Sequence, residues 1–197
     1  MFQHIIFDFD NTLYDYDYAH NIAINFVFDK ISSNFDIDVN IIKNNFTIEK
    51  NKYKKYCNNA SSHNKFIQIK KLFEILNINL DNVDYYYALY ISKFNNNLIL
   101  YDNVIDFLTF CQSKNIKMYI LSNNLCREQI QKINTLHIMK YFTKIYTSEE
   151  FGIQKPDAKI YCSILSDIGC NKNEIVKIGD DFINDIDGSN NIDIYSF

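Results

Sequence analysis

The sequence predicts an α/β fold in which a parallel β-sheet core is interrupted by a helical insertion. Two observations lead to this prediction. Short apolar runs alternate with segments of helical periodicity through most of the chain, which is typical of β-α-β units. Residues 15–97 instead contain four helical patterns and no clear strand. We therefore expect an α/β core formed by residues 1–14 and 98–197, with a separate helical domain over residues 15–97.

Four apolar runs have the composition of buried strands. The first is HIIFDF (4–9), which is rich in Ile and Phe and suits a strand that is buried on both faces. The other three are IKMYILS (116–122), KIYTS (144–148) and EIVKIGD (174–180). NIDIYSF, at the end of the sequence, is a candidate fifth strand.

Helices are predicted between these strands. In NVIDFLTFCQSK (103–114), apolar residues recur at the spacing of one helix face, and CREQIQKINTL (126–136) and DAKIYCSILSDIG (157–169) are similar. In an open parallel sheet, ligands bind outside the carboxyl ends of the strands. The polar residues that follow each predicted strand are therefore the candidates for a functional site.

Composition excludes some classes of function. The formal net charge of -4 argues against a nucleic-acid-binding protein, which needs a basic face. No stretch approaches the roughly 20 apolar residues of a membrane span. The N-terminus does not resemble a signal peptide, and the five cysteines contain no CxxC pair. We expect reduced thiols, a cytoplasmic location and no metal site among the four scattered histidines.

The stretch FDFDNTLYDYD (7–17) contains four aspartates, at the end of the first predicted strand and directly after it. Asp8 and Asp10 are two residues apart, so on an extended chain their carboxylates point the same way. Two such carboxylates repel each other unless one is protonated or a cation lies between them. Their spacing therefore predicts either a proton on one carboxylate or a cation between Asp8 and Asp10.

Further polar residues follow the other predicted strands: Ser122, Asn123, Lys155, Asp180, Asp181 and Asp185. Carboxylates together with a substrate phosphate are the ligands that Mg²⁺ takes. A carboxylate is also a nucleophile that can form an aspartyl-phosphate intermediate. A serine can donate to a phosphate oxygen, and a lysine can neutralise charge on a transferring phosphoryl group.

Four strings, DFDNTL (8–13), ILSNN (120–124), FGIQKPDAKIY (151–161) and IGDDFINDIDGSNN (178–191), resemble the four motifs of the haloacid dehalogenase-like hydrolase superfamily. The resemblance covers nearly the whole core, in the order and spacing of the family. It implies a Rossmann-like parallel sheet with a helical C1-type cap inserted after the first motif. Members of the family usually continue past the final strand, so we expect a trimmed edge at Phe197.

The resemblance also implies roles for the matching residues of the first two motifs. Asp8 is expected to be the nucleophile and a Mg²⁺ ligand, with the cation and a phosphate site lying between Asp8 and Asp10. Asp10 is expected to protonate the leaving oxygen, later to activate water, and to give its backbone carbonyl to Mg²⁺. Thr12 is expected to support the first motif loop. Ser122 and the backbone of Asn123 are expected to hold the phosphate.

The last two motifs complete the expected site. Lys155 is expected to pair with Asp8 and with the phosphate. Asp180 is expected to ligate Mg²⁺, and Asp185 to do so directly or through water. Asp181 is a candidate for the same role as Asp185.

The predicted activity is Mg²⁺-dependent hydrolysis of a small phosphorylated metabolite through an aspartyl-phosphate. Family members that dehalogenate lack an aspartate at the position of Asp10, which favours phosphate esters here. The strings DNTLY and SEEFGIQKPDAKIY are most similar to pyrimidine 5′-nucleotidases, which makes nucleoside 5′-monophosphates candidate substrates. Two alternatives stay open: a phosphomutase or phosphotransferase of the same fold, and a catalytically silent binding module. A monomer or a homodimer is expected.

Overall fold

The computed structural model describes residues 2–57 and 59–197, and its contacts divide the chain into two compact units. One unit comprises Met1–Asp15 and Ile99–Phe197, and the other comprises Tyr16–Leu98. These boundaries lie next to those of the predicted core and helical domains. The role of the second unit as a cap stays a prediction.

The first unit contains a five-stranded sheet. Its strands are β1 (His4–Phe7), β2 (Lys117–Ser122), β3 (Phe142–Thr147), β4 (Ile175–Ile178) and β5 (Tyr195–Ser196). The strand order is β3-β2-β1-β4-β5, and every neighbouring pair is parallel. The predicted α/β class is therefore confirmed, with β1 at the centre of the sheet.

Several strand boundaries differ from the predicted ones, and two of them have a clear local reason. β1 is predicted over 4–9 but ends at Phe7, because the chain then turns through Asn11, whose φ is 64°. β3 is predicted to include Ser148, but that residue begins a helix. The backbone N–H of Thr147 donates to the Glu150 carboxylate at 2.9 Å, so a capping box starts the helix there.

Within residues 16–57 and 59–98, the second unit contains four α-helices, which correspond to the four predicted helical patterns. They are α1 (Tyr16–Phe35), α2 (Val39–Tyr56), α3 (Lys65–Ile75) and α4 (Val83–Asn95), with 3₁₀ turns at Ala60–His63 and Leu80–Asn82. Their shared core is apolar and aromatic, and it includes fully buried Ile31, Leu72 and Phe73. None of the helices in the described residues is long and apolar enough to cross a membrane.

In its described part, the first unit has five α-helices and shorter helical turns around the sheet. The α-helices are α5 (Val104–Ser113), α6 (Cys126–Thr135), α7 (Ser148–Phe151), α8 (Ala158–Ile168) and α9 (Gly188–Asn190). A π-helix spans Phe182–Asp187, and 3₁₀ turns span Met139–Tyr141 and Lys172–Glu174.

Helices cover both faces of the sheet. On one face, Ile160 and Ile164 of α8 pack in a buried cluster with Ile6 of β1. The next residue of β1, Phe7, points to the opposite face, where its ring lies 6.2 Å from the ring of Phe107 in α5. Burial on both faces explains why β1 is a continuous apolar run.

Replacing Ile164 with Ala tests this packing. Ile164 is fully buried, so we expect the free energy of unfolding to fall by about 2–4 kcal/mol through lost burial and a cavity. The control Ile105→Ala, at a position that is 41% exposed, is expected to cost less than about 1 kcal/mol. Urea denaturation of both variants measures the difference, and equal losses would contradict this account of the core.

Candidate active site

The polar residues predicted at the strand ends meet at one edge of the sheet. Asp8 directly follows β1, Ser122 ends β2, and Asp180 lies shortly after β4. The carboxyl ends of parallel strands share one edge, so these residues are neighbours by topology. The connection between α7 and α8 adds Lys155, whose ammonium reaches Asp8.

Lys155 is the cation around which the site is organised. Its Nζ lies 2.5 Å from Asp8 Oδ1 and 2.6 Å from Asp185 Oδ1, and 3% of its side chain is exposed. Burial works against the charge on the ammonium, but the two carboxylates outweigh burial and raise the pKa of Lys155. The side chain is therefore a buried cation shared by two carboxylates.

The two carboxylates that contact Lys155 differ in pKa. Burial raises the pKa of Asp8 to about 6, against the opposing effect of Lys155. Asp185 is also buried, but pairing with Lys155 and with a second lysine outweighs that burial and lowers its pKa. Of these two carboxylates, Asp8 is thus the one whose negative charge is the more costly to hold.

Asn123 holds the backbone of Lys155. Its Nδ2 donates to the Lys155 carbonyl at 2.8 Å, and its Oδ1 accepts from the Lys155 backbone N–H at 2.8 Å. The side chain of Asn123 therefore positions the lysine. Its backbone stays the predicted phosphate contact.

Three carboxylates form a possible metal site. Oxygen atoms of Asp8, Asp180 and Asp185 lie within 4.8 Å of one another. Thr12 links two of them, since its hydroxyl lies 3.3 Å from Asp8 Oδ2 and 3.1 Å from Asp180 Oδ1. Three carboxylates are the donor set of a hard divalent cation, so the residues present fit Mg²⁺.

The Asp185 carboxylate packs directly against the backbone of Gly179. A Cβ at Gly179 would overlap it, so only glycine fits there. Asp185 lies in the π-helix, a type of helix often found at functional sites. Asp181 caps that helix by accepting the N–H groups of Ile183 and Asn184, both at 3.0 Å. The metal-binding role suggested for Asp181 therefore competes with capping.

Asp10 lies in a separate set of contacts. Its carboxylate accepts from Lys132 Nζ at 2.9 Å, Gln129 Nε2 at 3.0 Å and Asn124 Nδ2 at 3.1 Å, and from the hydroxyl of Tyr14. Burial opposes ionisation of Asp10, but Lys132 and the other donors outweigh it and lower the pKa to about 2. Asp10 is ionised at neutral pH.

The arrangement changes the interpretation of the first motif. The sequence predicts a cation and a phosphate between Asp8 and Asp10. In the structure each carboxylate has its own lysine, Lys155 for Asp8 and Lys132 for Asp10. Two separate ion pairs therefore relieve the repulsion without a shared cation. The cluster of possible metal ligands contains the side chain of Asp8 and not that of Asp10.

Gln129 and Lys132 were not predicted from the sequence as site residues. Both lie in α6, and their side chains are buried although they are polar. Gln129 Nε2 also donates to Ser122 Oγ at 2.5 Å, which joins the second motif to the Asp10 contacts. The only signal for them in the sequence is that two polar residues occur at helical spacing. Such a pair more often belongs to the solvated face of a helix.

Lys177 is a second buried lysine that was not predicted as a site residue. It lies in β4, has no exposed surface, and places its Nζ 2.7 Å from Asp185 Oδ1. Burial lowers its pKa to about 8, and the charge of Lys155 adds to the shift. In the sequence it is one residue within an otherwise apolar strand.

Comparison with known proteins agrees with this arrangement. Residues 5–197 match the family model described as haloacid dehalogenase-like hydrolase. A ribulose-1,5-bisphosphate 5-phosphatase of Halopiger xanaduensis is 24% identical over 94% of this chain and 80% of its own. Pyrimidine 5′-nucleotidase PynA of Streptococcus pneumoniae is 26% identical over 98% of this chain and 81% of its own.

Two further similarities are partial or concern the fold. A glyceraldehyde 3-phosphate phosphatase of Methanothermobacter thermautotrophicus is 31% identical over 46% of this chain, and the match spans only 40% of that relative. A magnesium-bound crystal structure of a HAD-hydrolase from Bacillus subtilis aligns with a TM-score of 0.75 at 18% identity. That alignment covers 99% of this chain and 87% of the other.

Replacing Lys132 with Met tests the Asp10 contacts. The lowered pKa means that ionised Asp10 stabilises the fold above its unfolded pKa, near 4, and that this contribution is lost as pH falls through about 2. At pH 7 we therefore expect Lys132→Met to lower the free energy of unfolding by about 2–4 kcal/mol.

The matched control is Lys172→Met. This exposed lysine lies 3.5 Å from Asp193 in a surface ion pair, so the expected loss is below about 1 kcal/mol. Urea denaturation at pH 7 compares the variants. A Lys132→Met protein as stable as the control would show that the Lys132 pair contributes no stability.

Proposed function

Because the chain belongs to the haloacid dehalogenase-like hydrolases, we propose that it is a Mg²⁺-dependent phosphomonoesterase that acts through an aspartyl-phosphate. The observation that carries the proposal is the placement of Asp8. Its carboxylate contacts the buried ammonium of Lys155 and belongs to the cluster of possible metal ligands. A nucleophile held between positive charges is what attack on a phosphate monoester requires.

The first step uses Asp8 as the nucleophile. A carboxylate oxygen of Asp8 attacks phosphorus, the bond from phosphorus to the ester oxygen breaks, and the alcohol leaves with a proton. Lys155 keeps its positive charge beside Asp8 and the phosphoryl group. Asp8, Asp180 and Asp185 would hold Mg²⁺, which supplies positive charge to the phosphoryl oxygens. Ser122 and the backbone of Asn123 would hold those oxygens.

The second step uses Asp10 as the base. Asp10 is ionised and can only accept, which suits removal of a proton from the water that attacks the aspartyl-phosphate. In the first step Asp10 has to give a proton to the leaving oxygen, which requires the protonated form of Asp10. In the structure Lys132 holds Asp10 as an anion, so its contact with Lys132 has to break before Asp10 can carry that proton.

The substrate class is supported by the relatives. The three relatives described above are named for glyceraldehyde 3-phosphate, ribulose-1,5-bisphosphate and pyrimidine 5′-nucleotides. All of these are small compounds that carry phosphate monoesters. We propose a small phosphorylated metabolite, with nucleoside 5′-monophosphates among the candidates. The helical unit Tyr16–Leu98 is assigned the role of a substrate-selecting cap.

The proposal places the enzyme in the cytoplasm, as a monomer or a homodimer. The five free cysteine thiols support a reducing compartment. Small metabolites need neither a membrane surface nor a nucleic acid as partner.

Phosphate release from a panel of sugar phosphates and nucleoside 5′-monophosphates, with and without Mg²⁺, tests the activity. We expect release that requires Mg²⁺ and favours one group of compounds. Transfer of phosphate to an alcohol in place of water would support the phosphotransferase alternative. A folded protein that binds Mg²⁺ but releases no phosphate would support the silent module.

Replacing Asp8 with Asn tests the mechanism. Removing a nucleophile is expected to lower kcat by about 10³-fold or more while the protein stays folded. Asp187→Asn is the matched control, because this exposed carboxylate lies two residues from Asp185 and has no role in the proposed mechanism. Its kcat is expected to match that of the wild type. Full activity in the Asp8→Asn protein would rule out the aspartyl-phosphate.

A further inference from the structure

Lys177 gives the site a second buried positive charge. Its Nζ lies 2.7 Å from Asp185 Oδ1 and donates to the Ile178 carbonyl at 3.0 Å. Lys177 pairs in register with Ile6 of β1, on the side of the sheet that carries the α8 cluster. Its aliphatic stem therefore lies in the apolar core, while the ammonium reaches the polar edge.

Asp185 is shared by two ammonium groups. Lys155 and Lys177 both contact Oδ1, at 2.6 Å and 2.7 Å, and the other oxygen, Oδ2, accepts from the Asp181 backbone N–H at 3.3 Å. Asp185 is also one of the three carboxylates that could hold a metal. A cation that binds there therefore binds a carboxylate that already pairs with two ammonium groups.

Charge count sets the affinity of such sites. A divalent cation is held more tightly as the net negative charge of its ligands rises. Here three carboxylates are accompanied by two buried ammonium groups, and buried charges are only weakly screened. Lys155 also contacts Asp8, the proposed nucleophile, whereas Lys177 contacts only Asp185 among the three carboxylates.

We propose that Lys177, by pairing with Asp185, lowers the affinity of the carboxylate site for divalent cations. Lys177 is a positioning residue, because it acts through Asp185 and not on substrate. The inference rests on the proposed function in one respect, namely that Asp8, Asp180 and Asp185 bind a divalent cation. A loosely held Mg²⁺ would exchange during turnover, so that activity follows the free Mg²⁺ concentration.

The test is Mn²⁺ binding by full-length, metal-free protein, followed by the electron paramagnetic resonance signal of free Mn²⁺. Lys177→Met removes the charge and keeps most of the side-chain volume. We expect this variant to bind Mn²⁺ about tenfold more tightly or better, because a repelling charge is gone and Asp185 is released from one partner. Asp185 keeps Lys155 as a partner, so the variant should fold.

Two controls separate this effect from simpler ones. Lys144→Met makes the same change on β3, where Lys144 pairs with Asp167 at the surface, and is expected to change Mn²⁺ affinity less than about twofold. In an Asp185→Asn background, Lys177→Met is expected to gain less than about threefold, because the pair through which Lys177 acts is absent.

The outcomes are distinct. Wild-type protein that binds no Mn²⁺ would overturn the metal site itself, and with it both proposals. If the wild type binds Mn²⁺ and the Lys177→Met protein binds it with the same affinity, this inference alone would be overturned. If the Met variant fails to fold, Lys177→Gln, which keeps a donor for the Ile178 carbonyl, carries the test. Failure of both to fold, with Lys144→Met folded, would overturn the inference in favour of a purely structural role.

Discussion

The buried ammonium of Lys155, held between Asp8 and Asp185, is the interaction on which the rest of the site depends. A charge removed from water is tolerated only when close partners compensate for the lost solvation. Several features of the core serve to keep those partners in reach. Asn123 clamps the lysine backbone, and the absence of a side chain at Gly179 leaves room for the Asp185 carboxylate.

Two aspartates separated by one residue have very different environments. Burial raises the pKa of Asp8 to about 6. Burial acts on Asp10 in the same direction, but Lys132 and three neutral donors together outweigh it and lower the pKa of Asp10 to about 2. Pairs of titratable groups that are pushed apart in this way commonly divide acid and base work in enzymes. The short sequence DFD therefore supplies two carboxylates with different chemistry.

The fold was largely predictable from the sequence because its signals are local. Strands buried on both faces appear as apolar runs, as in HIIF, and the helices appear as 3.6-residue periodicity. The motif residues Asp8, Lys155, Asp180 and Asp185 were predictable as a group because topology brings strand ends together, and the structure places their side chains in contact or close to one another.

The remaining site residues carry no such signal. Lys132 belongs to a helical pattern that resembles a solvated face, and Lys177 interrupts a strand that is otherwise apolar. Whether a lysine is buried depends on the partner it finds, and that partner is distant in sequence, Asp10 for Lys132 and Asp185 for Lys177. The strand boundary at Thr147 was missed because a side-chain cap, and not hydropathy, ends the strand.

The central position of β1 has a consequence for how the protein is made. β1 leaves the ribosome before the helical unit, yet both of its neighbours in the sheet, β2 and β4, are synthesised after that entire unit. The helices of that unit contact one another within Tyr16–Leu98, so the unit can fold while translation continues. An apolar strand without partners is a target for aggregation and for chaperones during that interval. Asp8 is thus synthesised long before Lys155, the residue with which it pairs.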